Sequence, residues 1–561
     1  MTSRSRAVAG RLLRRAGLRR RRTRATPGDP PAAHLGVPGG PLAEDVFVNP
    51  VGEGADPHVV RDGDRYLWCQ SEGNVGVAIW VSDRLTSMGR KHVVWWAPTA
   101  GPYSREVWAP EIHRFDGRWY IYLAASDGRN RNHLTYVLEA AGDDPLGPYD
   151  VRGPLWTGDG TPGAGENRWS IDLTVLEHAD RRYAVWSGWP DADHDLQHLY
   201  IAEMTSPTEL VGPRVLLWRA GTRVWERTQE TPQSRGLLEA PQVLARGHRT
   251  FVVYSCAASW LPTYKLGMIE LTGDDPLDPG AWTGFAEPVF AASKMTYGVG
   301  HGSYVRSLDG GQWWHVFHAK RDRDHGWRRA LFVQPLAWDD DGAPLFGSPV
   351  AAGTPLALPA RTPRHQVSTR RVWDLSGDDA LAQFDYFGHH QFVAEAPDGV
   401  HLGCVPAVPI NDYRTGEKLV LRDGHYDDLT LTATFRFVND ARAAGVLFRI
   451  TGASVGYDAQ RGYFAGIALD RRALVVGKTD GRGWTPLAET ALDVDVAGWQ
   501  AIDVRAVGDH IEARTGTARL EVYDQDYPYG SVGLRVVDSH AVFTSLTVTP
   551  EHPSPHHDAS A

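Results

Sequence analysis

One short pattern recurs five times along the first two thirds of the chain. Each copy opens on a small or polar residue, continues with two β-branched or apolar positions, turns at Gly or Asp, and ends in an aromatic-rich run. The copies are DPHVVRDGDRYLWCQSEG from Asp56, APEIHRFDGRWYIYLAAS from Ala109, DLTVLEHADRRYAVWSGW from Asp172, APQVLARGHRTFVVYSCA from Ala240 and HGSYVRSLDGGQWWHVFHAK from His301. Their starts lie 53, 63, 68 and 61 residues apart. Such repetition indicates an array of similar units that pack against one another.

Each copy predicts a β-hairpin, because two β-prone runs flank a Gly or Asp turn. The stretches between copies, such as VGVAIWVSD and HLYIAEM, predict the outer strands of four-stranded sheets. No long run between the copies has helical periodicity. We therefore predict an all-β fold in which residues 45–358 form a five-bladed β-propeller.

The openings of the repeats carry the residues that are candidates for chemistry. A propeller arranges the first strand of every blade around a central channel, so these openings are expected to converge. They bring Asp56, Asp172 and His301, while Glu239 and Trp108 each precede an opening by one residue. Like charges crowded together are energetically unfavourable, and such clusters are typical of functional sites. For Asp56 and Asp172, capping of a local turn is the alternative interpretation.

Three carboxylates in one pocket suit the hydrolysis of a glycosidic bond. One carboxylic acid protonates the leaving oxygen, and a second carboxylate acts on the other face of the sugar. A third carboxylate raises the pKa of the acid and keeps it protonated. The residues alone do not assign these three roles.

The remaining sequence predicts a second domain and two tails. Residues 371–549 contain alternating runs such as LTLTATFRFV and WQAIDVRAV, which predict an antiparallel β-sandwich of the jelly-roll type. This domain either binds carbohydrate like a lectin or packs against the propeller and shapes its rim. Residues 1–44, rich in Arg, and residues 550–561 are predicted to be disordered.

Charge and composition limit the partners and the compartment. The first 24 residues hold ten Arg and no acid, so the other 537 carry a net charge of −20. An acidic body argues against nucleic acid as a partner. We find no apolar stretch of the length that export or membrane insertion requires, and the three cysteines are scattered, so a cytoplasmic protein is expected.

Several ordered motifs resemble glycoside hydrolase family 43, and in particular its exo-acting arabinofuranosidase branch. They are WAPEIHRFDGRWYIYLAAS followed by TYVLEA, then SIDLTVLEH, LYIAEM, LEAPQVL, YGVGHGSY and RALFVQPLAWDDDGAP. The resemblance covers residues 45–355. It implies a five-bladed propeller that hydrolyses glycosides with inversion of configuration, and the closing GSVGLRVVDSHAVFTSLTV resembles concanavalin-like domains appended to many glycosidases.

The resemblance also assigns roles to the hub residues. Asp56 matches the general base, Asp172 the residue that tunes and orients the acid, and Glu239 the general acid. His301 matches a histidine that lies near a calcium ion, which it contacts through water. Arg329 matches an arginine that reaches the sugar.

Other matches concern the wall of the pocket. Trp108 resembles an aromatic residue of the pocket wall against which the terminal sugar packs. Trp189 and Trp260 either form outer subsites or pack. The family's usual residues are replaced at Leu173, in the LEAP motif around Glu239, and at Gly302. These departures leave the three carboxylates intact but change the pocket around them.

The sequence therefore predicts an inverting exo-glycosidase that removes terminal α-L-arabinofuranosyl units from an oligosaccharide or polysaccharide. A β-xylosidase or galactofuranosidase on the same scaffold is the alternative within the enzyme class. A non-catalytic carbohydrate-binding propeller is the alternative outside it.

Overall fold

The computed structural model describes residues 39–551, except 163–164, 321, 365, 378, 404–415, 440–441, 493–494 and 496–497. Most of the predicted Arg-rich tail and all but two residues of the predicted C-terminal tail lie outside the described residues. The described residues form β-strands and four short 3-10 helices. None of their helices is long and apolar enough to cross a membrane.

Five antiparallel sheets form the predicted propeller, and each contains one copy of the repeat as its first two strands. Blade one comprises His58–Asp62, Arg65–Glu72, Gly76–Ser82 and Arg90–Trp96. Blade two comprises Arg105–Phe115, Arg118–Ser126, Leu134–Ala140 and Tyr149–Pro154. Blade three comprises Ser170–His178, Arg181–Gly188, His198–Ser206 and Glu209–Trp218. Blade four comprises Leu238–Arg246, Arg249–Cys256, Lys265–Leu271 and Trp282–Gly284.

Blade five closes the ring with a strand from the start of the described chain. Its strands are Tyr297–Arg306, Trp313–Lys320, Ala330–Trp338 and Gly52–Glu53, with Pro344–Leu345 beside the third. Val46–Val48 also pairs with Pro355–Ala357. The first strand of every blade contacts the first strands of the two neighbouring blades. The five repeat openings therefore lie around one central hub.

The C-terminal part forms two packed antiparallel sheets, which confirms the predicted β-sandwich fold. One sheet runs in the order Val393–Ala396, Gly399–Gly403, His540–Pro550, Leu429–Phe437, Gln500–Val507, His510–Thr515 and Ala518–Tyr523, with Arg371–Asp374 also beside His540–Pro550. The other runs Phe384–Phe387, Lys418–Leu421, Ser531–Val537, Ala443–Thr451, Arg461–Ala468, Ala473–Asp480 and Trp484–Ala491. In Leu429–Phe437 every second residue is buried, as the alternating sequence predicts.

The sandwich packs against blades one and five through one continuous apolar cluster. Trp68 and Trp314 of the propeller belong to the same cluster as Phe384 and Phe435 of the sandwich. The guanidinium of Arg84, in blade one, donates two hydrogen bonds to Asp423 of the sandwich, at 3.2 and 2.8 Å. Shared core and paired charges hold the two parts together as one body.

Candidate active site

The repeat openings coincide with a backbone irregularity at the hub. Asp56, Ala109, Asp172, Ala240 and His301 have φ values of 51°, 44°, 57°, 51° and 43°. In blades two to five the pairing of the first two strands shifts register at this point. Such bulges re-aim side chains and are frequent next to active sites. A left-handed conformation is unfavourable for these residue types, so the surrounding structure must hold it.

Asp56 lies in a cationic environment. Its Oδ1 is 3.2 Å from Arg329 Nη1 and 3.2 Å from His301 Nδ1. Its backbone N–H donates a hydrogen bond to His318 Nδ1 at 3.2 Å. Burial raises the pKa of the Asp56 carboxyl, but Arg329 and His301 outweigh burial and hold the pKa well below its usual value. Asp56 is therefore ionised over the whole physiological pH range.

Asp172 and Glu239 lie in an environment that favours their neutral forms. Their exposed fractions are 4% and 9%. Burial is the main cause that raises the pKa of Asp172 to about 7, and the negative charges of Glu239 and Asp56 raise it further. Burial also raises the pKa of Glu239, although hydrogen bonds partly oppose this.

Neighbouring side chains and backbone hold the two carboxyls in place. The Tyr264 hydroxyl donates to Glu239 Oε1 at 2.7 Å, and the Gln197 amide donates to Glu239 Oε2 at 3.2 Å. The backbone N–H of Ala240 donates to Asp172 Oδ2 at 3.0 Å. Asp172 therefore fixes the residue that follows Glu239, and the two carboxyls are positioned as a unit.

His301 carries a positive charge at the hub. Burial lowers the pKa of its ring, but Asp56 and Asp172 outweigh burial and raise the pKa to about 9. Calcium prefers oxygen ligands, and His301 Nδ1 faces Asp56 Oδ1 at 3.2 Å. These residues therefore do not fit direct ligation of a calcium ion by His301. A calcium ion that contacts His301 through water stays a prediction.

One other group resembles a metal site. His58, Glu111 and His113 bring three ligand atoms within 4.8 Å of one another, the single such group in the part of the chain that the structure describes. His58 Nδ1 accepts a hydrogen bond from the Ile112 backbone N–H at 3.2 Å, so in the neutral ring Nε2 carries the proton. That Nε2 faces Glu111 Oε2 at 3.6 Å. The geometry favours a hydrogen-bonded cluster over a metal centre.

The predicted aromatic wall lies beside the first strands of blades two and three. Trp108 is partly exposed, stacks on His133 with ring centroids 3.9 Å apart, and donates through Nε1 to Glu106 at 3.0 Å. Trp169 stacks on Trp189 at 4.6 Å. These rings pack together next to the blade-three opening. The structure thus places Trp108 and Trp189 in one aromatic cluster.

Sequence reasoning missed three residues that touch the carboxylates. Gln197, Tyr264 and His318 come from the third strand region of blade three, the third strand region of blade four and the second strand of blade five. His318 pairs with Gly300 across the hairpin of the last repeat. That pairing register is the one signal that places His318 near the hub. Nothing local marks Gln197 or Tyr264.

Two glycines of the YGVGHGSY motif are required by close contacts. A Cβ on Gly300 would lie 2.4 Å from the Tyr264 ring, so this glycine admits the tyrosine that holds Glu239. A Cβ on Gly302 would lie 2.5 Å from the carbonyl oxygen of Val316 and 2.6 Å from His315 Nε2. The departure at Gly302 is therefore explained by the packing of blade five.

Comparison with known proteins agrees with this geometry. The family model described as glycosyl hydrolases family 43 matches residues 47–344. The extracellular exo-alpha-(1->5)-L-arabinofuranosidase of Streptomyces avermitilis is 30% identical over 359 residues, which cover 61% of this chain and 71% of that protein. The protein of the same name from Streptomyces chartreusis is 31% identical over 289 residues, 50% of this chain and 84% of that protein. The crystal structure of alpha-L-arabinofuranosidase from Lactobacillus brevis has a TM-score of 0.50 and 29% identity, and the match covers 55% of this chain and 98% of that one.

Proposed function

Because this chain belongs to glycosyl hydrolases family 43, we propose that it removes terminal α-L-arabinofuranosyl units from oligosaccharides or polysaccharides with inversion of configuration. The family makes it a glycoside hydrolase with a saccharide substrate. The choice of sugar is supported by the two Streptomyces proteins, both named exo-alpha-(1->5)-L-arabinofuranosidases. A xylosidase or galactofuranosidase activity is the competing outcome of the test below.

The observation that carries the mechanism is the opposite ionisation of carboxyls that share one hub. Arg329 and His301 keep Asp56 ionised, whereas burial keeps Asp172 and Glu239 protonated to higher pH. Inverting hydrolysis needs a carboxylate base and a carboxylic acid at the same time. Two carboxyl environments that differ in this way supply both at neutral pH.

We assign the general base to Asp56. Its carboxylate accepts a proton from a water molecule as the water attacks the anomeric carbon. Its side chain is 25% exposed, so water reaches it, while Arg329 and His301 fix the oxygen that they contact. The positive charges also limit the basicity of Asp56, so its chief contribution is the position and orientation of the water.

We assign the general acid to Glu239. Its proton passes to the glycosidic oxygen as the bond to the anomeric carbon breaks, and the leaving group departs as an alcohol. Tyr264 and Gln197 hold the carboxyl by its two oxygens. Asp172 has a raised pKa, so the Asp172–Glu239 pair holds a proton up to higher pH. Asp172 also accepts the hydrogen bond from the Ala240 backbone N–H and so positions the segment that carries Glu239.

The proposed activity is compatible with two locations of the enzyme. Both Streptomyces proteins are named extracellular, and an extracellular enzyme would meet intact polymers. The cytoplasmic location expected from the sequence would restrict it to imported oligosaccharides. That location stays a prediction.

The test is proton NMR of the anomeric region during digestion of arabino-, xylo- and galactofurano-oligosaccharides. We expect arabinose to appear first as the β anomer from α-linked arabino-oligosaccharides. Glu239→Gln should lose this release, whereas Glu209→Gln, on an exposed position of blade three, should keep it. Release of another sugar, release of the α anomer first, or an active Glu239→Gln variant would contradict the proposal.

A further inference from the structure

A short turn of the β-sandwich helps to wall a cavity beside Asp56. Arg329 and Trp327 line one side of this cavity, and Gly73 and Asn74, in the three-residue turn 73–75 of blade one, line another. Residues 389–391 of the sandwich complete the lining. The propeller alone therefore does not enclose the space next to the proposed base.

The sandwich turn is anchored to blades one and five and to its own domain. The backbone carbonyls of residues 388–390 accept hydrogen bonds from the Glu53 backbone N–H at 3.3 Å, the Tyr386 hydroxyl at 2.8 Å and the Lys91 ammonium at 3.1 Å, in that order. Glu53 belongs to the strand that closes blade five. These bonds fix the turn relative to the hub, so its side chains have defined positions at the cavity.

Gln391 is the side chain of this turn that is available to a ligand. It is exposed, and among the described residues its side-chain amide makes no hydrogen bond. Its Nε2 lies 2.9 Å from the point that a Cβ on Gly73 would occupy, so the amide lies directly against the bare turn of blade one. The Gln391 backbone N–H donates to His389 Nδ1 at 3.3 Å, which holds the residue in place.

The cavity lies on the side of the hub that is next to the proposed base, Asp56. In the proposed reaction the leaving oxygen must contact the acid, Glu239, and the attacking water must contact the base. Asp56 lines the cavity, whereas Glu239 and Asp172 do not. The terminal sugar lies between base and acid, so its side nearest to Asp56 borders this space.

We propose that Gln391 is a substrate-binding residue that hydrogen-bonds a hydroxyl group of the terminal arabinofuranosyl unit. This inference rests on the proposed function. A primary amide offers both donor and acceptor atoms, and a sugar hydroxyl requires both. The sandwich is then a part of the active site and shapes the rim of the propeller, in place of acting as a separate lectin.

The test uses 4-nitrophenyl α-L-arabinofuranoside, whose leaving group is held constant. We expect Gln391→Ala to raise both KM and the inhibition constant of free L-arabinose about fivefold, because one hydrogen bond contributes on the order of that factor. Gln391→Trp, which fills the cavity, should raise both constants more than tenfold. The matched control is Gln500→Ala, on a strand of the same domain that three strands separate from Val393–Ala396.

The outcomes separate the two proposals. Unchanged KM and unchanged inhibition by L-arabinose in Gln391→Ala, with an active wild-type enzyme, would overturn this inference alone. A fall in kcat with an unchanged inhibition constant would overturn it as well, because a binding residue affects the free sugar. If the wild-type enzyme releases no arabinose, the proposed function fails and the inference fails with it. Melting temperatures equal to wild type show that each variant is folded.

Discussion

Replacing Asp172 with asparagine is expected to stabilise the folded protein much more at pH 8 than at pH 4.5. Asp172 is 4% exposed, and burial is the main cause that raises its pKa to about 7. An acid whose pKa is raised by folding stabilises the protein fully below its unfolded pKa. That contribution is lost as the pH rises from the unfolded pKa of 3.8 to the folded pKa of about 7, because over this range ionisation favours the unfolded state.

The magnitude follows from the same linkage. Each pKa unit corresponds to about 1.4 kcal/mol, so ionised Asp172 costs the folded state on the order of 4 kcal/mol at pH 8. Asparagine has nearly the same shape and carries no charge. Its side-chain oxygen still accepts the hydrogen bond from the Ala240 backbone N–H, which is 3.0 Å long in the wild-type protein. We therefore expect most of this cost to be recovered.

The assay is the thermal midpoint of unfolding at the two pH values. Asp172→Asn should unfold several degrees above wild type at pH 8 and roughly a quarter as far above it at pH 4.5. Asp64→Asn, in the exposed turn of blade one, is the matched control and should change neither midpoint. Hydrolysis by Asp172→Asn should fall strongly, so stability and activity move in opposite directions.

One result would refute this reasoning. If Asp172→Asn lowers the midpoint, and lowers it more at pH 8 than at pH 4.5, the ionised carboxylate stabilises the fold. The positive charge of His301 would then outweigh the burial of Asp172.

Three further substitutions test other parts of the structure. Arg329→Met removes a charge that lowers the Asp56 pKa, so the acid limb of the kcat/KM profile should move up by about one pH unit, and an unmoved limb would contradict the assigned cause. Gly302→Ala places a Cβ 2.5 Å from a backbone oxygen, so denaturant unfolding should show a free energy of unfolding that is lower by about 1–3 kcal/mol. An unchanged free energy would mean that the backbone of blade five shifts to accommodate the Cβ. Arg84→Met breaks the ion pair with Asp423 at 2.8 Å, and calorimetry should show a free energy of unfolding that is lower by about 3 kcal/mol. An unchanged free energy would mean that the shared apolar core alone holds the sandwich in place.

The fold was predictable because the local sequence of each repeat determines its own secondary structure. Two β-prone runs around a tight turn form a hairpin independently of the rest of the chain. Five such hairpins in sequence form a compact fold when they are arranged in a ring. The strand that closes blade five was not predictable. Gly52–Glu53 is two residues long, and it pairs with Ala330–Trp338 far along the chain, so no local pattern reports it.

The repeat alone predicts the site only at or next to its openings. Asp56 and Asp172 open their copies and Glu239 precedes another opening by one residue, so the repeat itself places them at the hub, whereas Arg329 was found only through the family resemblance. Tyr264 and Gln391 do not, because they reach the site from a strand start and from another domain. Their positions depend on how blades and sandwich pack, and packing is a property of the whole fold.

The same packing explains how similar carboxyls acquire opposite ionisation. Asp56 lies at the seam between blades one and five, where blade five supplies Arg329, His301 and His318. Glu239, in blade four, receives neutral donors from Gln197 and Tyr264 instead. The positive φ at each opening is common to the five blades, so it cannot distinguish one carboxyl from another. The difference between base and acid therefore comes from which side chains the neighbouring strands supply, and Arg329, Gln197 and Tyr264 among these lie outside the repeated pattern.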